Sequence, residues 1–417
     1  MKKVIKLEQE TYELKQARKE LTPEGSNKET EKREKKKNAK KARNIIIVTI
    51  ALLLVGTLAV VYNANKDFRN FMDKYILRKN VTEENLPTIE IDYNSNTNII
   101  PYGKYICILA ENTLSQYNAS GKKENEVKIE IGNPIYAVEG KYLVIGEKDN
   151  QKLYLVTGEH IVWEKNIEGN LAKVSVNKNG YVSAIVTGTT HKSVIITYDA
   201  KGNELFKSYL ASTIAVDSAI SPDNSELAYA EVNTTGTAVQ SSIKIISIDA
   251  VKEKNTEAKY TYTAPQNNLI MRIQYQDKNA LVAMYEDGIH LFQNGTDTEI
   301  LKLVEEGKKI TFADIKLNNH VFRTVEKSTG LFQADTIIEI KNINTQKENM
   351  YTAEEVVKSV ESYKNIIAIN LGTEVEFIDT NGWLAKRYTS TQVIRNIVIG
   401  DGLAGVIYRD KIELINL

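Results

Sequence analysis

Residues 86–417 are expected to fold as an all-β propeller of eight four-stranded blades, behind one apolar helix near the N-terminus. Three observations carry this expectation. A hairpin of two short strands recurs eight times at a mean spacing of about 43 residues, within the roughly 40–45 residues of a four-stranded blade. The first strand of each hairpin is apolar on both faces, as in Ile106-Cys107-Ile108-Leu109 and Val282-Ala283-Met284, which suits a strand packed between neighbouring sheets. The two ends are also complementary. The eighth unit stops at Leu417 one strand short, while Leu86–Asp92 reads as a strand with no partner of its own.

Taken in order, the chain opens with a basic leader. Residues 1–43 hold 15 basic and 8 acidic side chains, although the whole chain is formally neutral. Val4 to Leu21 reads as a short helix ending before Pro23-Glu24-Gly25, and Ser26 to Lys41 lacks apolar residues apart from Ala39. Such a stretch is expected to be disordered. A basic leader can serve as a nucleic-acid arm. Next to an apolar helix, attraction of Lys32, Arg33, Lys35, Lys36, Lys37, Lys40, Lys41 and Arg43 to anionic lipid is the more economical reading. Fixing topology alone would also account for these charges.

Eighteen uncharged residues follow, Ile45 to Tyr62, of which twelve are Ile, Leu or Val. As a helix they extend about 27 Å, close to the roughly 30 Å hydrocarbon core of a bilayer. Their summed insertion energy is on the order of −4 to −7 kcal/mol. A transmembrane helix over 44–64, contacting lipid through 45–62, is therefore expected. A cleaved signal would have a short leader and a small-x-small site after the apolar stretch. Here the leader is 44 residues long and Thr57-Leu58-Ala59 lies inside the run. Nine basic residues lie between Lys28 and Arg43, against five between Asn63 and Asn80. The positive-inside rule then leaves the N-terminus in the cytoplasm and the large domain outside.

Over 65–85, Phe68, Phe71, Met72, Tyr75 and Ile76 have the spacing of an amphipathic helix, followed by a linker through Thr82 to Asn85. One cysteine, Cys107, rules out an intramolecular disulfide. For an exported domain of this size that argues against a eukaryotic secretory route. The wealth of Lys, Asn and Ile suits an AT-rich genome, so a Gram-positive bacterial surface is expected. The Asn-x-Ser/Thr triplets at Asn80, Asn118, Asn233 and Asn294 are then chance matches.

The repeating hairpins are Tyr105–Gly121, Tyr142–Gly158, Tyr181–Gly202, Leu227–Asp249, Leu281–Gly295, Val321–Asn344, Ile366–Gly382 and Ala404–Leu417. A short apolar strand precedes each, such as Ile135–Val138, and a mixed one follows, such as Val162–Lys165. Docking Leu86–Asp92 as the missing outer strand of the last blade would close the ring and remove two exposed edges. Seven blades is the alternative count, should the long fourth or sixth unit be misread.

Ser221-Pro222-Asp223-Asn224-Ser225-Glu226-Leu227-Ala228-Tyr229 resembles the SPDG-x-x-LAY turn of WD40-like and TolB-like propellers, with Asn224 in the glycine place. Tyr198-Asp199-Ala200-Lys201-Gly202-Asn203-Glu204-Leu205-Phe206 resembles the turn of PQQ-like repeats, with Phe206 in the tryptophan place. Tyr117–Gly121 and Ile378–Trp383 echo it. Leader, single helix and propeller together resemble an uncharacterised family of bacterial single-pass membrane proteins with an extracytoplasmic PQQ-like propeller. The resemblance implies a fold; such turns are shared by propellers of many functions.

Quinoprotein chemistry in that superfamily uses a vicinal cysteine pair, flanking tryptophans and a calcium site. This chain has one cysteine and two tryptophans, Trp163 and Trp383, placed as outer-strand or turn residues. No G-x-S-x-G elbow or phosphate-binding glycine loop is present. His160, His191, His290 and His320 fall in different units, without metal-ligand spacing. No catalytic, cofactor-binding or metal residue is therefore assigned, and neither a cofactor nor nucleic acid is expected as a ligand. The reading is a non-enzymatic surface scaffold for a protein or cell-wall partner. The alternatives are a sensor signalling through the tail, or a propeller enzyme with its site in the central channel.

Overall fold

The computed structural model describes residues 24–65, 68–69, 72–77, 79–82, 86–92, 97–252, 257–328, 330 and 334–417. The chain divides into two compact units, Met1–Arg78 and Lys79–Leu417.

The first unit is built on α1, Glu24–Ala64, whose last 22 residues from Arg43 are apolar enough to cross a membrane. Ser26–Lys41, expected to be disordered, is helical instead. Lys and Glu dominate that stretch and favour helix, and the apolar run behind it spares them the cost of nucleation. The Val4–Leu21 expectation lies outside the described residues. Within the apolar run the hydroxyls of Thr49 and Thr57 donate back to the carbonyls of Ile45 and Leu53, at 2.9 and 2.8 Å. Their polar groups are thus satisfied inside the helix. Of the expected amphipathic helix over Phe68–Ile76, Phe68 and Arg69 are helical, Met72–Ile76 forms a π turn rather than α-helix, and Phe71 lies outside the described residues. Local polar contacts win over the apolar spacing. Tyr62 donates to buried Asp73 at 2.6 Å, and Arg69 donates to the carbonyls of Tyr62 and Asn63.

The second unit is an eight-bladed β-propeller of antiparallel four-stranded sheets. Blades 1 to 7 cover Asn98–Lys128, Pro134–Asn166, Asn170–Leu210, Thr213–Thr263, Ile270–Lys302, Lys309–Ala353 and Ser359–Thr389. Each begins at the axis and works outward. Blade 8 supplies three strands from Asn396 to Asn416, and Thr88–Glu90 pairs antiparallel with Lys411–Glu413 as the fourth. The ring closes as the chain ends suggested. Each of the eight hairpins forms the second and third strands of a blade, for example Tyr105–Ala110 with Thr113–Tyr117.

One strand was not foreseen. Asn80–Thr82, placed in the linker by sequence, runs parallel to the outer strand of blade 7, with Asn80 opposite Arg387 and Thr82 opposite Thr389. The unit accordingly starts at Lys79 rather than Leu86. Three residues carry no hydrophobic pattern, so only the free backbone edge they meet makes them a strand.

The turns joining first to second and third to fourth strands lie on one face, called lower here; the remaining loops form the upper face. On the lower face the Asp or Asn that opens a third-to-fourth turn caps the backbone. Asp199 accepts from the N–H groups of Lys201 and Asn203, at 2.8 and 2.9 Å, and Asp379 from Asn381 and Trp383, both at 2.9 Å. Asn224 takes φ +65°, the left-handed conformation for which glycine is usual there. Gly202 has φ +82°, and a Cβ on it would lie 2.8 Å from the Trp163 ring of blade 2. Backbone strain and a clash with a packed ring both oppose a larger residue. Gly202→Ala should lower the stability of the propeller by about 2–4 kcal/mol in urea denaturation. Gly140→Ala, at φ +58° with open space around it, should cost only the conformational part, about 1–2 kcal/mol. Equal losses would mean that Trp163 yields to the added methyl.

Candidate functional site: the polar axis of the propeller

The innermost strands of blades 3 to 6 each carry a bulge, between Leu171 and Lys173, Ala215 and Asp217, Ile270 and Arg272, and Ile310 and Phe312. A bulge re-aims the side chains beside it, and in three of these the residue that follows is charged. Lys173 Nζ of blade 3 lies 2.9 Å from Asp217 Oδ1 of blade 4. Asp217 Oδ2 accepts the Ile273 N–H of blade 5 at 2.9 Å. Arg272 Nη1 of blade 5 lies 2.8 Å from Asp314 Oδ1 of blade 6, and Ser362 Oγ of blade 7 donates to Asp314 Oδ2 at 2.8 Å. Four successive links thus cross four blade boundaries. The carboxylates are the buried members and the basic groups stay partly open. Burial of a carboxylate is tolerable here because each accepts several hydrogen bonds.

Two further groups sit on innermost strands. Glu361 of blade 7 has its carboxyl pushed up by burial; Lys316 and Arg272 pull it down while Asp314 pushes it up. Tyr136 of blade 2 exposes 41% of its surface. Its phenol is nevertheless pushed up, first by burial and then by the Glu361 charge. Toward the lower face, burial pushes up Glu139 of blade 2, opposed by Lys364 of blade 7, with Asp401 and Lys178 also contributing. Lys364 is ion-paired to Asp401 of blade 8.

The arrangement is therefore a charge-balanced set of acids and bases that staples neighbouring blades. The histidines stay apart: His160 opens the outer strand of blade 2, His191 sits in an upper loop of blade 3, and His290 and His320 lie in blades 5 and 6. His191 packs against Tyr209 with ring centroids 4.8 Å apart and planes tilted by 44°, beside an open upper-face groove of about 410 Å³. His290 Nδ1 is 2.8 Å from Asp297, and His320 lies between the Asn318 carbonyl and Asn342. Among the described residues no group of three or more His, Cys, Asp or Glu is placed to hold a metal ion. Cys107 is buried, which pushes its thiol up and suppresses the nucleophilic thiolate. Trp163 is buried and Trp383 is 70% exposed. Sequence reasoning missed the axial arc because its members are ordinary single charges about 42 to 56 residues apart; only the blade repeat aligns them.

Solved structures of similar fold include Sqt1 from Chaetomium thermophilum, alone and bound to the N-terminus of ribosomal protein L10. The bound form matches at 12% identity and TM-score 0.51, covering 80% of this chain and all of that one. The free form matches at 11% and 0.50, covering 79% and 98%. BamB from Moraxella catarrhalis matches at 13% identity and TM-score 0.49, covering 79% of this chain and 98% of its own. At such identities the likeness is one of fold. No curated protein matches the chain. The family DUF5711, described as a family of unknown function, matches residues 77–417.

Proposed function

The chain belongs to the DUF5711 family, and we propose that it is a membrane-anchored propeller acting as a non-catalytic binding platform outside the cytoplasm. The observation that carries this reading is the apolar helix itself. None of the residues in its apolar window is buried, and Leu52, Leu53 and Val60 are each about two-thirds exposed. A continuous apolar cylinder of that length matches the hydrocarbon core of a bilayer. In the propeller behind it, the buried carboxylates of Asp217 and Asp314 on and beside the innermost strands are already paired with Lys173 and Arg272. That leaves its rims and faces for partners. Sqt1, seen with the N-terminus of ribosomal protein L10, is an example of this fold holding a protein segment.

Topology is the direct test. In a Cys107→Ser background, Val393→Cys places a thiol at an upper-face position that is 73% exposed, and Ser26→Cys places one in the leader. An impermeant maleimide on intact protoplasts should label the first and spare the second, with Ser26 retained in the mature chain. The opposite labelling pattern would invert the orientation; loss of the leader from the mature protein would show a cleaved signal. Crosslinking and co-purification would then show whether partners attach to the propeller or to the leader.

A further inference from the structure

The two faces of the propeller carry opposite charge. Among the described residues, the turns of the lower face hold 10 basic and 7 acidic side chains, and the loops of the upper face 6 basic and 12 acidic. The lower excess is concentrated around the axis. The turns between first and second strands contribute Lys104, Lys141, Lys178, Lys278, Lys316 and Lys364, one in each of six blades and every one exposed. Lys104 and Lys141 lie over the rings of Tyr105 and Tyr142, 5.1 and 5.2 Å from their centroids, which holds them at the rim of the ring.

Two independent features mark the same face. The outer strand of blade 7, Leu384–Thr389, starts at the lower face, and Asn80–Thr82 runs parallel to it. The Arg387 N–H bonds the Lys79 carbonyl at 3.0 Å, so the chain enters the propeller from the lower side. The turn that begins this outer strand carries Trp383, 70% exposed. Beside it is Met350 of blade 6, 68% exposed, whose carbonyl lies 2.5 Å from where a Cβ on Gly382 would be. An exposed tryptophan beside an exposed methionine on a basic face has the composition of a surface that meets a membrane interface, where indole rings settle at headgroup level.

We propose that the lower face docks on anionic lipid headgroups of the bilayer that holds the apolar helix, with the lysine ring on the phosphates and Trp383 in the interfacial layer. This rests on the anchoring reading above. Attraction and repulsion act together. Lysines within a Debye length of a negative surface are drawn to it, while the acidic upper face is turned away.

The test uses the full chain in vesicles of phosphatidylcholine alone, or with roughly one-third phosphatidylglycerol, made with brominated acyl chains that quench nearby tryptophan. Flotation of the protein with both vesicles establishes anchoring. With anionic vesicles, most of the Trp383 emission should be lost and should recover at high salt. Trp383→Phe, which leaves only buried Trp163, should show no such loss. The triple variant Lys104→Glu, Lys141→Glu, Lys178→Glu alters exposed side chains only, and should abolish quenching while still floating. Floating protein whose Trp383 is unquenched would overturn docking and leave the face to another anionic partner such as an acidic protein. Equal quenching in neutral and anionic vesicles would overturn the role of the lysines. Protein that fails to float would defeat the anchoring reading and docking with it.

Discussion

A propeller lacking residues 86–92 should melt far below the intact Lys79–Leu417 unit, and should aggregate. Among the described residues, Thr88–Glu90 is the only fourth strand of blade 8. Its register against Lys411–Glu413 is extended at both ends, where the Ile91 N–H bonds the Asp410 carbonyl and the Leu414 N–H bonds that of Pro87, both at 2.9 Å. Ile89 is 3% exposed, in a cluster that joins blade 1 (Ile106, Ile108) to blade 8 (Val398, Ile412, Leu414). Gly121, in a lower-face turn of blade 1, packs directly against the Thr88 carbonyl. The strand therefore binds the first and last blades together.

A lost ladder hydrogen bond costs about 0.5–1.5 kcal/mol, and emptying a buried isoleucine site about 2–5 kcal/mol. The sum is of the same order as the roughly 5–15 kcal/mol that stabilises a typical domain. The freed edge of Lys411–Asn416 would also be open to pairing between molecules. Ile89→Ala alone should lose about 2–5 kcal/mol in chemical denaturation. Equal melting temperatures for the intact and shortened propellers would show that closure does not depend on this strand.

Asp314→Ala should lower stability by about 2–4 kcal/mol. It removes at once the partner of Arg272, the acceptor of buried Ser362 and the acceptor of the Ile315 N–H. Breaking a buried pair costs about 3–5 kcal/mol when the remaining charge is trapped. Arg272 is 38% exposed and rehydrates in part, so the loss should fall toward the lower end. Lys316→Ala is the control. Its amine is exposed and 3.8 Å from Asp314, and its removal should change stability by no more than about 0.5 kcal/mol. Matching losses in urea denaturation would mean that the axial arc does not hold blades 5 to 7 together.

What could be read from the sequence was whatever is encoded at short range. Hairpins announce themselves through apolar strands and Asn, Asp and Gly turns, because the left-handed backbone of such turns excludes most other residues. Their spacing gave the blade count. The unmatched strands at the two ends gave the closure, since an unpaired strand edge is costly wherever it occurs. The apolar run was visible for the same reason: hydrocarbon solubility is a property of composition over some twenty residues.

Only the tertiary structure decided which charges meet. Lys173 and Asp217, or Arg272 and Asp314, are brought together by the stacking of successive blades, and nothing local distinguishes them from surface charges. The same holds for Asn80–Thr82, three polar-leaning residues made into a strand by the free edge of blade 7. It holds also for the lysine ring, dispersed over some 260 residues from Lys104 to Lys364 and gathered on one face by the turn geometry. Local pattern determines that a segment is a strand or a turn, because backbone sterics act over a few residues. The charge and chemistry of a surface come from distant segments, so folding alone assembles them.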